Sequence, residues 1–140
     1  CSYVINYKKE NVIEKVLEIT SGKGVPVVYD GVGKDTFKIS LECLSLRGLF
    51  VSFGQSSGMV DEVNLHKTFN PKSLYYTRPT LMHYNSTREE LDNSSNKLFT
   101  KIKDQLIEQK IYKKYLLEDA QKAHEDLQSR NTVGPMIFNT

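Results

Sequence analysis

Two kinds of apolar run alternate along the first sixty residues. Residues 25–30 (VPVVYD) and 49–53 (LFVSF) are short, near-continuous and rich in β-branched side chains, and each leads into a glycine-bearing turn. Elsewhere the apolar positions recur at helical spacing: Val12, Ile13, Val16, Leu17 and Ile19 in one segment, Phe37, Leu41 and Leu44 in another. The first kind reads as strands, the second as amphipathic helices packed on a sheet. Residues 3–7 (YVINY) predict one more short strand. Glycines at 22 and 24 stop the first helix, and Asp35 is the expected N-cap of the second, which runs to Arg47-Gly48. Continuous apolar content makes 25–30 a buried strand. The order β-α-β-α-β with short loops and right-handed crossovers predicts parallel pairing.

The rhythm then changes. Residues 55–71 read as a loop with one weak helical turn near Leu65 to Phe69. SLYYTR, from Ser73 to Arg78, is a strand rich in tyrosine and threonine, limited by Pro79. Thr87 followed by Glu90 is a capping box. It opens a helix to about Gln109 with Leu91, Leu98, Ile102 and Leu106 as its core face. Residues 111–115 are extended, 117–129 form a last helix with Ala120, Ala123 and Leu127 inward, and 136–138 close as a strand. No repeat, low-complexity tract or linker interrupts the chain, so residues 1–140 read as one domain.

Composition narrows the function classes. At 140 residues the chain can bury a core. With 26% charged and 39% hydrophobic residues it is an ordinary globule. A net charge of +2 argues for neither nucleic acid nor an anionic membrane. No apolar run reaches the roughly 18 residues of a membrane helix, and no signal peptide stands out. Cys1, Cys43, His66, His83 and His124 lack metal-ligand, redox or nucleophile–base spacing, so a metal-free, disulfide-free cytoplasmic protein with no assignable catalytic residue is expected.

Gly31-Val32-Gly33-Lys34-Asp35-Thr36 follows a strand and opens a helix, partly imitating the dinucleotide fingerprint. Glycines there let a ligand approach the backbone, and the helix start offers free N–H groups. The third glycine is replaced by threonine and no strand-end acid lies about 20 residues on. The turn is thus either a primary pyrophosphate loop or a secondary turn lining a cofactor. Ser52 to Gly58 (SFGQSSG) is either a second such turn or a plain loop; two turns at neighbouring strand ends mark the edge where open α/β sheets bind ligands. Arg130, after the last helix, is either a ligand contact or a solvated cation balancing the helix dipole. Lys8-Lys9 and Lys113-Lys114 read as solvated faces, and Tyr75-Tyr76 as interface or core.

Four blocks, VINYKKENVIEKVLEITSGKGVPVVYDGVGKDTF, LECLSLRGLFVSFGQSSG, KSLYYTRPTLMHYNSTREEL and YLLEDAQKAHEDLQSRNTVGPM, resemble in order the NADPH:quinone oxidoreductases, the zinc-free, zeta-crystallin-like branch of the medium-chain dehydrogenase/reductases. The resemblance implies a doubly wound Rossmann domain of the α/β class with a mainly parallel sheet, NADPH as cofactor, and hydride transfer to quinones or related electrophilic carbonyls. It places Tyr7 and Arg130 beside the cofactor's 2′-phosphate, which a guanidinium pairs bidentately. It puts Val32, Gly33, Phe53, Gly54 and Gln55 along the nicotinamide-ribose side, with Thr77 and Arg78 completing that wall. The strand from Ser73 to Arg78 would pair with its copy to form a homodimer.

The same resemblance reads the chain as the C-terminal portion of a Rossmann domain lacking its first two strands, the AAGGVG-type pyrophosphate loop and the separate catalytic domain, and so as a fragment with little activity of its own. In the strand order 3-2-1-4-5-6, residues 4–7 then have no neighbour. They are expected to dock on residues 25–30, to swap into a partner chain or to be poorly ordered. Two further readings compete: a non-catalytic dimerisation module derived from this fold, and a methyltransferase-like nucleotide fold supported by the strand–GxG turn alone.

Overall fold

The computed structural model describes residues 1–108, 110–129 and 131–139, which form two compact units, Cys1–Tyr84 and Asn85–Thr140. The first begins with α1 (Val12–Ile19). Asn11 caps it by accepting the Glu14 amide, and a left-handed Gly22 closes it by donating to the Leu17 carbonyl at 2.7 Å. This is the glycine stop expected from the sequence.

Strands β1 (Val25–Asp30), β2 (Leu44–Ser52) and β3 (Tyr75–Thr77) then form one sheet in the order β1-β2-β3, with both pairs parallel. Helix α2 (Phe37–Cys43) makes the first crossover; α3 (Leu65–Phe69) precedes β3, and the short α4 (Leu81–Tyr84) follows it. The core is built between α2 and β2 from Phe37, Leu41, Leu44 and Phe50, with Val25, Val28 and Phe69 packed against it. Phe37 meets Phe50 edge-on at 5.4 Å, a favourable aromatic geometry. An α/β fold with parallel strands is therefore present, as the alternation of runs predicts.

Several local expectations are corrected. No strand forms over residues 3–7, and among the described residues none pairs with β1 on the side away from β2. Direct docking of that segment on β1 does not occur. Its end is satisfied locally instead: Asn6 accepts from the Lys8, Lys9 and Glu10 amides, and the Asn6 amide donates to Glu10. An asparagine turn has replaced the ladder. Helix α2 stops at Cys43 rather than at Arg47-Gly48, and β2 begins at once at Leu44. Lys72 makes this abrupt junction possible, donating to the carbonyls of Glu42 at 2.8 Å and Leu44 at 2.7 Å. Between the pairs Val25↔Leu44 and Val27↔Leu49 the register slips, and the extra β2 residues turn through a left-handed Arg47.

The N-cap of α2 is Thr36 rather than Asp35, and its hydroxyl is turned elsewhere. Strand β1 is not buried throughout. Val25 and Val28 face the core, whereas Tyr29 on the opposite face is 72% exposed. A continuous apolar run cannot distinguish two covered faces from one.

In the second unit, α5 (Arg88–Lys103) starts at the predicted Thr87–Glu90 capping box, present in both directions. It ends before residue 104, and Gln109 lies outside the described residues. Leu91, Leu98 and Leu106 are exposed, so the expected core face is not buried. This polar 16-residue helix is supported at its N-terminus by the capping box and by the exposed Arg88–Asp92 pair. Strand β4 (Lys113–Leu116) pairs in parallel with β5 (Met136–Asn139), and α6 (Ala120–Gln128) connects them. Ala123 is buried as expected, but Leu127 is exposed. The Tyr115 hydroxyl donates to Asp126 at 2.6 Å, fixing α6 to β4.

Candidate functional site

The carboxyl ends of β1, β2 and β3 lie side by side because their registers align Asp30 with Ser52 and Val51 with Thr77. Seven predicted site residues follow directly from that alignment: Val32, Gly33, Phe53, Gly54, Gln55, Thr77 and Arg78. A cleft of about 240 Å³ opens there, lined by Gly33, Ser52, Gly54, Gln55, Tyr76 and Arg78 among others. This is the edge where parallel α/β sheets accept ligands.

The turns after β1 and β2 are tied to one another. The Asp30 carbonyl accepts the Phe53 and Gly54 amides at 3.0 and 3.3 Å, and the Val32 carbonyl accepts both the amide and hydroxyl of Ser57 at 2.8 Å. Their glycines serve this mutual contact. A Cβ on Gly54 would stand 2.8 Å from Gly31 Cα, and one on Gly33, at φ +92°, would stand 2.7 Å from the Gly58 carbonyl oxygen. Close approach of one turn to the other is thus itself a requirement for these glycines.

Arg78 closes the third side. One guanidinium nitrogen donates to the carbonyl of Ser52 at 3.0 Å and to its hydroxyl at 3.2 Å; the other donates to Gln55 Oε1 at 2.9 Å. The ring of Phe53 lies against Gly31 and is more than half exposed at the rim.

Sequence reasoning missed the polar centre. Asp30 is buried, 4% exposed, and its carboxylate accepts from the Val32 and Gly33 amides at 2.8 and 3.0 Å, from the Thr36 hydroxyl, and from the Ser40 hydroxyl at 2.7 Å. Burial pushes this carboxyl up, but the donors, Ser40 foremost, outweigh it and hold it below the ordinary carboxylate value. The available signal was a strand-end acid followed by hydroxyls at positions 36 and 40, four apart and so on one helix face.

The amides leading into α2 are also engaged. Lys34 donates to the Gly58 carbonyl, Asp35 to the Ser57 hydroxyl, and Thr36 and Phe37 to the Gly33 carbonyl. With these amides bonded within the protein, the GVGKDT turn offers few free backbone donors to a phosphate.

Two predicted residues stand outside this group. Tyr7 is half exposed in the turn before α1 and, among the described residues, shares no hydrogen bond with the cleft. Arg130 lies outside the described residues. Cys1 is exposed, and Cys43 is buried, with burial pushing its thiol up.

Residues 1–137 match a family profile described as zinc-binding dehydrogenase. Quinone oxidoreductase 1 of Escherichia coli (strain K12) is 53% identical over 137 residues, 96% of this chain and 42% of that protein. The 2-haloacrylate reductase of a Burkholderia species is 40% identical over 99% of the chain and 42% of its own length. The crystal structure of Escherichia coli quinone oxidoreductase complexed with NADPH superposes with a TM-score of 0.91 at 52% identity, covering 98% of this chain and 43% of that one. The chain therefore spans about two fifths of the length of the relatives it matches. The profile's description names zinc, yet among the described residues no three His, Cys, Asp or Glu side chains converge as ligands, so they do not fit a zinc centre.

Proposed function

Starting from a chain that belongs to the zinc-binding dehydrogenase family, we propose that it forms the cofactor-holding part of an NADPH-dependent quinone oxidoreductase. The observation that carries this reading is the meeting of Gly33, Gln55 and Arg78 around one cleft at three parallel strand ends. Similarity to an Escherichia coli quinone oxidoreductase complexed with NADPH supports it.

When bound, NADPH supplies a hydride to a quinone or related electrophilic carbonyl. The residues of this chain orient and enclose rather than react. Val32, Gly33, Phe53, Gly54 and Gln55 line the nicotinamide-ribose side, and Thr77 and Arg78 complete the wall. Tyr7 and Arg130 flank the 2′-phosphate, an assignment that rests on the resemblance. No residue of the chain is assigned a covalent or proton-transfer role. Among the described residues no helix is long and apolar enough to cross a membrane, and a cytoplasmic location fits this chemistry.

Calorimetric titration of the 140-residue chain with NADPH, and with NADH alongside, tests the reading. Binding of NADPH in preference to NADH supports it. Binding of neither, by a folded chain, overturns cofactor binding by this chain alone and leaves the family assignment intact.

A second reading has its own observation. Strand β3 has one hydrogen-bonded neighbour among the described residues, and Tyr75 on it is 63% exposed. A free, aromatic sheet edge suits pairing with its own copy. The strand from Ser73 to Arg78 then serves a homodimer, with or without catalysis. Sedimentation of the chain beside Tyr75→Lys tests this: a dimer that dissociates on substitution supports it, and a wild-type monomer rejects it.

A further inference from the structure

A strand, a glycine turn and a helix start ordinarily make a concavity of backbone N–H groups that cradles phosphate. In this chain the concavity has an internal occupant. The Val32 and Gly33 amides both converge on Asp30 Oδ1, while Oδ2 takes the hydroxyl of Ser40 at 2.7 Å; the Thr36 hydroxyl bridges both oxygens at 2.9 and 2.8 Å. Such charge-assisted bonds are the stronger class, and this carboxylate is shielded from water.

A phosphate entering here would find those two amides and the four that follow already bonded, with a buried negative charge behind them. The two oxygens share Thr36, while Oδ1 alone takes the amides of the turn and Oδ2 alone the Ser40 hydroxyl of α2. Through its carbonyl, Asp30 accepts the Phe53 and Gly54 amides as well, so one residue sets the position of both turns.

We propose that Asp30 is the positioning residue of this site: its carboxylate is a built-in anion that fills the amide concavity of the turn after β1, keeping phosphate out and reserving that turn for the uncharged nicotinamide–ribose end of the cofactor. The cofactor half of this statement rests on the function proposed above; the exclusion of phosphate does not.

The test compares the wild-type chain with Asp30→Ala and Asp30→Asn by calorimetry with NADPH and by amide NMR. Inorganic phosphate leaves the wild-type Val32 and Gly33 signals unmoved; a saturable shift of these signals overturns the proposal, whether or not NADPH binds. Asp30→Ala weakens NADPH binding by roughly tenfold or more. Added formate, which restores the missing carboxylate, recovers both the affinity and the two amide signals, and has no effect on the wild type.

Asp30→Asn keeps an oxygen acceptor and binds NADPH within about threefold of wild type. Unchanged affinity in Asp30→Ala, or formate that restores stability without affinity, rejects the positioning role. If Asp30→Ala does not fold, the double variant Thr36→Val with Ser40→Ala decides. It leaves the amide bonds to Oδ1, so retained affinity at reduced stability supports the proposal, and a tenfold loss of affinity overturns it.

Discussion

Arg78 at the end of β3 donates to Gln55 Oε1 across 2.9 Å, so a residue of one strand end holds the turn of the next. The same guanidinium grips the Ser52 carbonyl and hydroxyl, using its planar fork of donors in a way a lysine cannot reproduce.

Arg78→Lys is accordingly expected to retain the charge and lose the bridge. Calorimetry should read NADPH binding weakened by roughly threefold to tenfold, with a stability loss of about 0.5–1.5 kcal/mol in urea denaturation. Equal affinity in the variant would remove Arg78 from the cleft's working parts.

The glycines of the two turns should differ sharply in tolerance. Gly54→Ala drives a methyl into the Gly31 backbone and Gly33→Ala drives one into the Gly58 carbonyl at a positive φ, so each should cost on the order of 2–3 kcal/mol. Gly58, also at positive φ, faces open space; its alanine should cost about 1–2 kcal/mol from backbone strain alone. Urea midpoints of the three variants check the order.

Asp30 links stability to pH. Its folded carboxyl titrates below the ordinary value of 3.8, so in the acid range the unfolded chain binds the proton more readily. The contribution is full above that ordinary value and is lost as the pH falls through the lower folded one. Asp30→Asn should flatten the acid limb of the stability curve, measured by urea denaturation from neutral pH downward. An unchanged acid limb would place the titrating group elsewhere.

Lys72→Met keeps an aliphatic stem and deletes the ammonium that serves the Leu41, Glu42 and Leu44 carbonyls where α2 runs directly into β2. A loss of about 1–2 kcal/mol is expected, with no change in NADPH affinity. Thermal unfolding and calorimetry together separate the two effects.

Much of this architecture is legible in the chain because its signals are local. Gly22 and the Thr87–Glu90 pair announce helix ends through their own backbone freedom or side chains, and both lie where expected. The strand ends carry seven of the nine candidate residues, since parallel pairing brings successive strand ends together whatever the details.

Non-local settlement was less readable. The apolar positions 37, 41 and 44 fit one helix face, yet Leu44 reaches the same core from a strand once Lys72, 28 residues on, satisfies the helix end. Asp30 hid in plain view: its role depends on hydroxyls and amides that converge only after β1 and α2 are docked.

Every strand pairing among the described residues is parallel, so none of them forms a β-hairpin with which assembly could begin cheaply. Val25 must find Leu44, and Leu49 must find Tyr75, each across a closed loop of roughly twenty residues or more before a ladder bond is gained. High contact order of this kind slows folding. Docking of α2, which lies between these strands in sequence and sets Phe37 against Phe50, shortens the loop that remains to be closed.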